Sequence, residues 1–353
     1  MPRLVDKIMK QLLIIVSLFV LMLVSGCVHK QQTKINYAVA VVETTATTKK
    51  SLITYYSKQL KPVKQQPLKY AALGSIWNNE IYSGGKVFLI PTGLTKMENE
   101  HKVLGIDKRN GDATSYRVDR TSIQGIAVSS SHIYTTSNLN AVNYITQVNR
   151  KSNKVKEIEL PFDYVSLLMY RNGNLFVFST NFNDIQHNRL FIYNDKLELK
   201  RKVDLAEVPQ YIQKATFLNN KLVFTATFDP NEPKPAELGI VNLDSWQVST
   251  FRLKESAAND IIAYKDKLIV ANTDVVESRG KSISLIDLHS KEVTLYDLNT
   301  GVDRLALSGD TLYALGADEL ASFDAAHGFA IKKHIKLMFH EGLGRSALFV
   351  AKP

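Results

Sequence analysis

One hairpin plan recurs through most of this 353-residue chain. It is clearest in "HKVLGIDKRNGDATSYRVD" (101–119), "AELGIVNLDSWQVSTFRL" (236–253) and "SISLIDLHSKEVTLYDL" (282–298). Each has an apolar strand, an Asp or Asn, a polar turn and a second strand closing on an apolar residue. The Asp or Asn falls at Asp107, Asn149, Asn194, Asn242, Asp287 and Asp324, at spacings of 37 to 48 residues. Both residue types suit the place, because their side chains accept a hydrogen bond from the backbone two residues on and fix the turn. A repeat of this length constrains the whole fold, since one unit cannot bury its apolar face alone and must stack on the next.

A second hairpin type alternates with the first. It reads as apolar strand, tight turn, apolar strand: "EIYSGGKVFLI", "GIAVSSSHIYTT", "SLLMYRNGNLFVF", "KATFLNNKLVFTA", "IIAYKDKLIVA", "RLALSGDTLYAL" and "GLGRSALFVA". Gly84-Gly85, Asn172-Gly173, Asn219-Asn220 and Gly309-Asp310 supply hairpin turn chemistry. One hairpin of each type makes four antiparallel strands, A to D, which is a propeller blade. The pattern predicts an all-β, seven-bladed β-propeller. The last A–B hairpin, "GLGRSALFVA", has no C–D partner after it. Residues 51–68, "SLITYYSKQLKPVKQQPL", have the C–D plan without the Asp or Asn, so the N-terminal strands are expected to complete the last blade and close the ring. "NYAVAVVETT" (36–45) is a further strand for that blade. A six- or eight-bladed ring fits if the seam is counted differently.

The first 26 residues have another character. Arg3, Lys7 and Lys10 precede the apolar run "LLIIVSLFVLMLV", which ends at Ser25 and Gly26. That is the plan of a secretory signal. The run is short of the roughly 20 apolar residues of a comfortable span, which leaves a transmembrane anchor as the alternative. Next comes Cys27, the single cysteine of the chain. A nucleophile needs a pocket and a base, and a structural metal site needs several Cys or His ligands; neither suits a residue beside a cleaved segment.

Leu23 to Cys27, "LVSGC", resembles the lipobox of bacterial lipoproteins. The resemblance implies a diacylglycerol on the Cys27 thiol, cleavage before it, and a lipid anchor on the extracytoplasmic face of the cell membrane. Two acyl chains hold a protein stably where one does not. The organisation read from the chain is a signal peptide (1–26), the lipidated Cys27 with a short linker (27–36), and a propeller (37–353). The repeat pattern is similar to that of bacterial YVTN and quinoprotein-like (WD-repeat-like) propellers. It departs from them in lacking the YVTN tetrapeptide, the Trp-Asp ending and a Trp in each blade, Trp77 and Trp246 being the only two.

In a blade, D–A connections and B–C loops share one face and the A–B and C–D turns the other. Several B–C loops are long: "PTGLTKMENE", "STNFNDIQHN", "TFDPNEPKPA" and "NTDVVESRG". Long loops on a rigid face are a usual place for binding. Strand A lines the channel, so its first residues are expected to ring the mouth on that face. They are Glu80, Gln124, Tyr164, Tyr211, Asp260, Asp303, Arg304, His340 and Glu341, the candidate ligand-binding set. Any propeller mouth is wet and polar, so none of them is diagnostic alone.

No P-loop, dinucleotide fingerprint or His-Glu-x-x-His helix is present. "DPNEP" and "NFND" lack the EF-hand spacing, and "HEGLG" lacks a second histidine. The reading is therefore an extracytoplasmic binding or scaffold propeller, with no catalysis, cofactor or metal expected. Two alternatives stand. One is a lactonase-like hydrolase or lyase at the channel mouth, with Asp260, Asp303 or His340 in acid–base roles. The other resembles the envelope lipoprotein propeller that assists outer-membrane protein assembly. The net charge is +10, and +8 without residues 1–26. Much of it lies on C–D hairpins, where lysine blocks edge pairing and could attract anionic lipid or wall polymer. The expected partners are the membrane, through the Cys27 lipid, and an anionic wall polymer or envelope protein. Nucleic acid is excluded by export, and a monomer is expected.

Overall fold

The computed structural model describes residues 34–75, 80–92, 98–139, 142–161, 163–181, 184–208, 211–227, 235–274 and 280–352. Cys27 and the segment read above as a signal peptide lie outside them, as do most of the long B–C loops. The first three strands are β1 (Val39–Thr44), β2 (Ser51–Tyr56) and β3 (Pro62–Leu68). Blade 1 is β4 (Ile81–Ser83), β5 (Lys86–Leu89), β6 (Lys102–Asp107) and β7 (Ala113–Arg117). Blade 2 is β8 (Ile123–Val128), β9 (His132–Leu139), β10 (Val142–Asn149) and β11 (Val155–Pro161). Blade 3 is β12 (Asp163–Arg171), β13 (Asn174–Asn181), β14 (Asp184–Asn194) and β15 (Leu199–Asp204). Blade 4 is β16 (Tyr211–Leu218), β17 (Lys221–Thr227), β18 (Glu237–Asn242) and β19 (Val248–Arg252). Blade 5 is β20 (Asp260–Tyr264), β21 (Lys267–Asn272), β22 (Ser282–Asp287) and β23 (Glu292–Asp297). Blade 6 is β24 (Arg304–Ser308), β25 (Thr311–Leu315), β26 (Glu319–Asp324) and β27 (Ala330–Lys336).

Blade 7 joins the two ends of the chain, in the order β28 (Gly344–Val350), β1, β2, β3. The ring therefore has seven blades and is closed by the N-terminal strands, as the repeat predicted. The division differs in one respect. "GLGRSALFVA" is a single strand, not an A–B hairpin, and β1 from "NYAVAVVETT" takes position B. Length explains this: spanning a blade takes β28 seven residues, and ten cannot hold a turn and two such strands.

Each pair of adjacent blades encloses one apolar cluster. Val39 and Val41 of β1 pack toward blade 6, while Ala40 and Val42 pack toward blade 1. Side chains alternate faces along a strand, so a strand buried on both faces reads as the unbroken "VAVV". The outermost strands are the reverse: β3 and β27 are mostly exposed and carry Lys64, Lys332, Lys333 and Lys336.

The recurring Asp or Asn ends strand C in all six blades where it was read. In each, its side-chain oxygen accepts the backbone N–H two residues on, at 2.8 to 3.2 Å. The following N–H often ties this turn to its neighbour, as when Leu243 donates to the Asn220 carbonyl at 3.0 Å. At the A–B turns, Gly84, Gly85, Asn172 and Gly173 have φ between 49° and 77°, the left-handed conformation that two-residue hairpin turns need.

Candidate functional site

Successive A strands touch one another around the ring, from β4 through β28. Hydrogen bonds close it: Leu348 N–H donates to Glu80 Oε1 at 3.3 Å and Val350 N–H to the Tyr82 hydroxyl at 3.2 Å. Near the start of these strands the A–B pairing slips in four blades. Gln124 is passed over between Ile123 and Gly125, and Ser166 between Val165 and Leu167. Gln213 and Lys214 are passed over between Ile212 and Ala215, and Ser346 between Arg345 and Ala347. Such bulges re-aim side chains. In blades 5 and 6 the pairing is regular and begins with Asp260 and Arg304, while Glu80 immediately precedes β4.

Four of these residues form a charge-balanced collar. Lys214, Asp260, Arg304 and Glu80 come from blades 4, 5, 6 and 1, so their signs alternate around the axis. Arg304 is only 1% exposed. Its Nη1 lies 3.6 Å from Glu80 Oε1. Its Nη2 donates to the Ser346 carbonyl at 3.1 Å and to the Ser75 carbonyl. Asp260 is held by backbone: Oδ1 accepts from Ile261 N–H at 2.9 Å and Oδ2 from Leu305 N–H at 2.8 Å. Lys214 is also 1% exposed. Burial pushes its pKa down to about 7, with the nearby Arg304 charge acting the same way and Asp260 and Glu80 opposing. Burial, with the Glu80 charge, pushes the Tyr82 hydroxyl far up.

Below the collar lies a cavity of about 740 Å³. Glu80 and Asp260 stand at its inner end, and Lys265, Gly309 and Asp310 of the A–B turns at its outer end. Its wall is largely apolar and aromatic, including Met169, Tyr170, Phe217, Tyr264, Leu305 and Leu307. The aromatic groups are held in place. Tyr170 stacks on Tyr134 with centroids 5.6 Å apart, and both hydroxyls donate to Asp195 Oδ1. Arg171 lies 5.0 Å over the Phe217 ring. Tyr264 donates to Asp310 Oδ1 at 2.7 Å, and Lys265 pairs with the same oxygen at 3.1 Å.

The structure thus brings together three of the residues selected from sequence: Glu80, Asp260 and Arg304. It corrects their setting. A water-filled mouth was expected, but Arg304 and Asp260 are buried, and the concavity lies on the A–B-turn side of them. Gln124 occupies the equivalent bulge in blade 2, with its Nε2 donating to Ser122 Oγ at 3.2 Å. Tyr164 is 37% exposed at the start of β12. Asp303 holds the backbone beside the collar, its N–H donating to Leu315 and its carbonyl accepting from Asn259. His340 pairs instead with Glu43, Nδ1 to Oε2 at 2.9 Å, and Glu341 is exposed on the same connection. The Tyr211 side chain lies outside what is described. Lys214 was missed; its only signal is a lysine within the apolar segment "KATFL". Among the described residues, no group of three or more His, Cys, Asp or Glu side chains is placed to hold a metal ion.

No protein-family profile and no curated protein matches the chain. Solved structures do. A functionally unknown protein from Desulfotomaculum acetoxidans superposes with a TM-score of 0.62 at 13% identity, over 90% of this chain and 99% of that one. Kuenenia stuttgartiensis hydrazine synthase gives 0.58 at 12% identity, over 76% and 89%. Apo AztD from Citrobacter koseri gives 0.55 at 9% identity, over 89% and 98%. At these identities the likeness concerns the fold: the chain is a seven-bladed β-propeller related in architecture to these proteins.

Proposed function

We propose that the chain is a binding propeller of the extracytoplasmic membrane surface, tethered by lipid on Cys27, that receives a ligand in the axial cavity without transforming it. The observation that carries this is the state of the cavity's acids. Both oxygens of Asp260 accept backbone N–H groups, and Glu80 faces Arg304 while accepting the Leu348 N–H. A general base must be positioned to reach the proton it takes; the backbone bonds to Asp260 and Glu80 fix these two carboxylates as ring-closing acceptors. Apolar, aromatic walls with a polar floor suit an amphipathic molecule that carries hydrogen-bond donors at one end. The fold itself is neutral on the question, since propellers host binding and catalysis alike.

The test is capture from intact envelopes, with mass spectrometry of what co-purifies with wild type and with Thr216→Trp, which fills the cavity. A small molecule bound to wild type and absent from the variant supports the reading. Repeated turnover on lactone or glycan panels overturns it. One observation favours that second reading: a lysine depressed to about 7 has a substantial neutral fraction near that pH, the form that acts as base or nucleophile. Loss of such turnover in a stably folded Lys214→Met variant would establish it. If capture instead returns an envelope protein retained by Thr216→Trp, the scaffold version holds and the cavity is not the site.

A further inference from the structure

We propose that the propeller stands with its A–B and C–D turns toward the bilayer, so that the cavity opens on the membrane side. The partner is a lipid surface with anionic headgroups, and the inference rests on lipid attachment at Cys27.

The first observation is where the chain joins the ring. Ile35 N–H donates to the carbonyl of Arg109, in the C–D turn of blade 1, at 2.7 Å, and the Ile35 Cδ1 methyl packs over Gly111 in the same turn. From there the backbone enters β1 at the end where Val39 pairs with Val350, the place of the A–B turn that blade 7 lacks. Ala351 N–H donates to the Ala38 carbonyl at 3.1 Å. The polypeptide is therefore fastened to the turn face before it begins its first strand.

The second observation is reach. Ile35 lies eight chain steps from Cys27, which extended span at most about 28 Å. Six-residue strands rise about 20 Å. A tether starting at the C–D turn of blade 1 would spend most of its length climbing the outside of the blade, whereas the turn face meets the membrane with the tether slack, so the turn face is the one it favours.

Charge supplies the third. Lys58 and Lys61 in the C–D turn of blade 7 and Lys151 and Lys154 in that of blade 2 are all exposed, and neither turn carries an acid. They flank the place where the chain joins. Lysines held close to an anionic surface are attracted to it within a Debye length, so the tethered side of this face is drawn down.

The test uses the full acylated protein in vesicles of phosphatidylglycerol and phosphatidylcholine. Cys27 is the only cysteine and its sulfur is blocked by the lipid, so one introduced cysteine is a unique reporter. Ser130→Cys and Ser290→Cys report the turn face, Thr48→Cys and Lys254→Cys the opposite face; all four positions are exposed. Each carries a bimane label read against headgroup-nitroxide lipid. The expected result is at least threefold stronger quenching at 130 and 290 than at 48 and 254. Equal or reversed quenching on protein that floats with the vesicles overturns the orientation and leaves the tether intact. Protein that does not float, or a Cys27→Ser form that floats equally, overturns the tether and the orientation with it.

Discussion

The turn face of the ring and the collar at its axis are built on opposite plans. The turn face is made by repetition: six C–D turns use the same Asp or Asn contact, and no turn depends on a distant residue for it. The collar is made by exception. Glu80, Lys214, Asp260 and Arg304 are four different residues at one level, each supplied by a single blade and meaningful only when the other blades are in place. Repetition spreads stability over many small contacts, whereas a buried network of unlike charges concentrates it.

Arg304→Met is the strongest way to break that contrast. It leaves buried Asp260 and the largely enclosed Glu80 with one cation fewer, and removing one partner of a buried ion pair typically costs about 3–5 kcal/mol. Urea denaturation should show a loss of that size. The double variant Arg304→Met with Glu80→Gln should be less destabilised than Arg304→Met alone, because the uncompensated charge is gone. A loss below about 1 kcal/mol would mean that water reaches the collar and that the two regions do not differ as described.

Lys214 gives the next effect, and its sign follows from proton counting. Its folded pKa is depressed to about 7, while an unfolded lysine keeps its proton to about 10.4. Between these values the unfolded chain binds more protons, so stability rises with pH. Relative to Lys214→Met, wild type should gain up to about 1.4 kcal/mol per pH unit between pH 7 and 9, and the difference should flatten below pH 7. Measured as denaturation midpoints across that range, parallel curves for the two proteins would show that the amine is solvated.

The sequence revealed these two regions unequally. Asp107, Asn149 and their counterparts were legible because the contact is local: the acceptor and the donor lie two residues apart, and the spacing repeats. Glu80, Asp260 and Arg304 could be placed near the channel once strand A was located. Their burial could not, because it depends on Ser75, Leu305 and Ser346 arriving from other blades. Lys214 was invisible for another reason. It sits in a two-residue slip of pairing between Ile212 and Ala215, and no alternation pattern shows which lysine turns inward there. The seam was half legible: closure followed from the unpaired hairpin count, but the three-plus-one division needed the register of Val39 on Val350.

Single turns should give smaller effects. Asn242→Ala removes two backbone contacts to one side-chain oxygen, from Asp244 and Ser245, and should cost about 1 kcal/mol. Asn149→Ala, two blades away, should cost about as much, and the pair should add within about 0.5 kcal/mol because the sites share no partner. Clear non-additivity would show that the turn face is coupled in the way the collar is.

The smallest effect belongs to the one C–D turn that lacks the repeated residue. In blade 7 the position is Ser57, whose hydroxyl accepts the Lys61 N–H at 3.2 Å, while its carbonyl accepts from Leu60 at 3.0 Å. A hydroxyl fixes a turn more weakly than an Asx side chain, and the backbone bond survives truncation. Leu60 is 1% exposed and packs against blade 6 beside Tyr313, so the closing blade holds its turn by burial where the other six use a side-chain cap. Ser57→Ala should therefore change stability by no more than about 0.5 kcal/mol, whereas Leu60→Ala should cost about 2–5 kcal/mol. The reverse order would mean that the seam is held like every other blade.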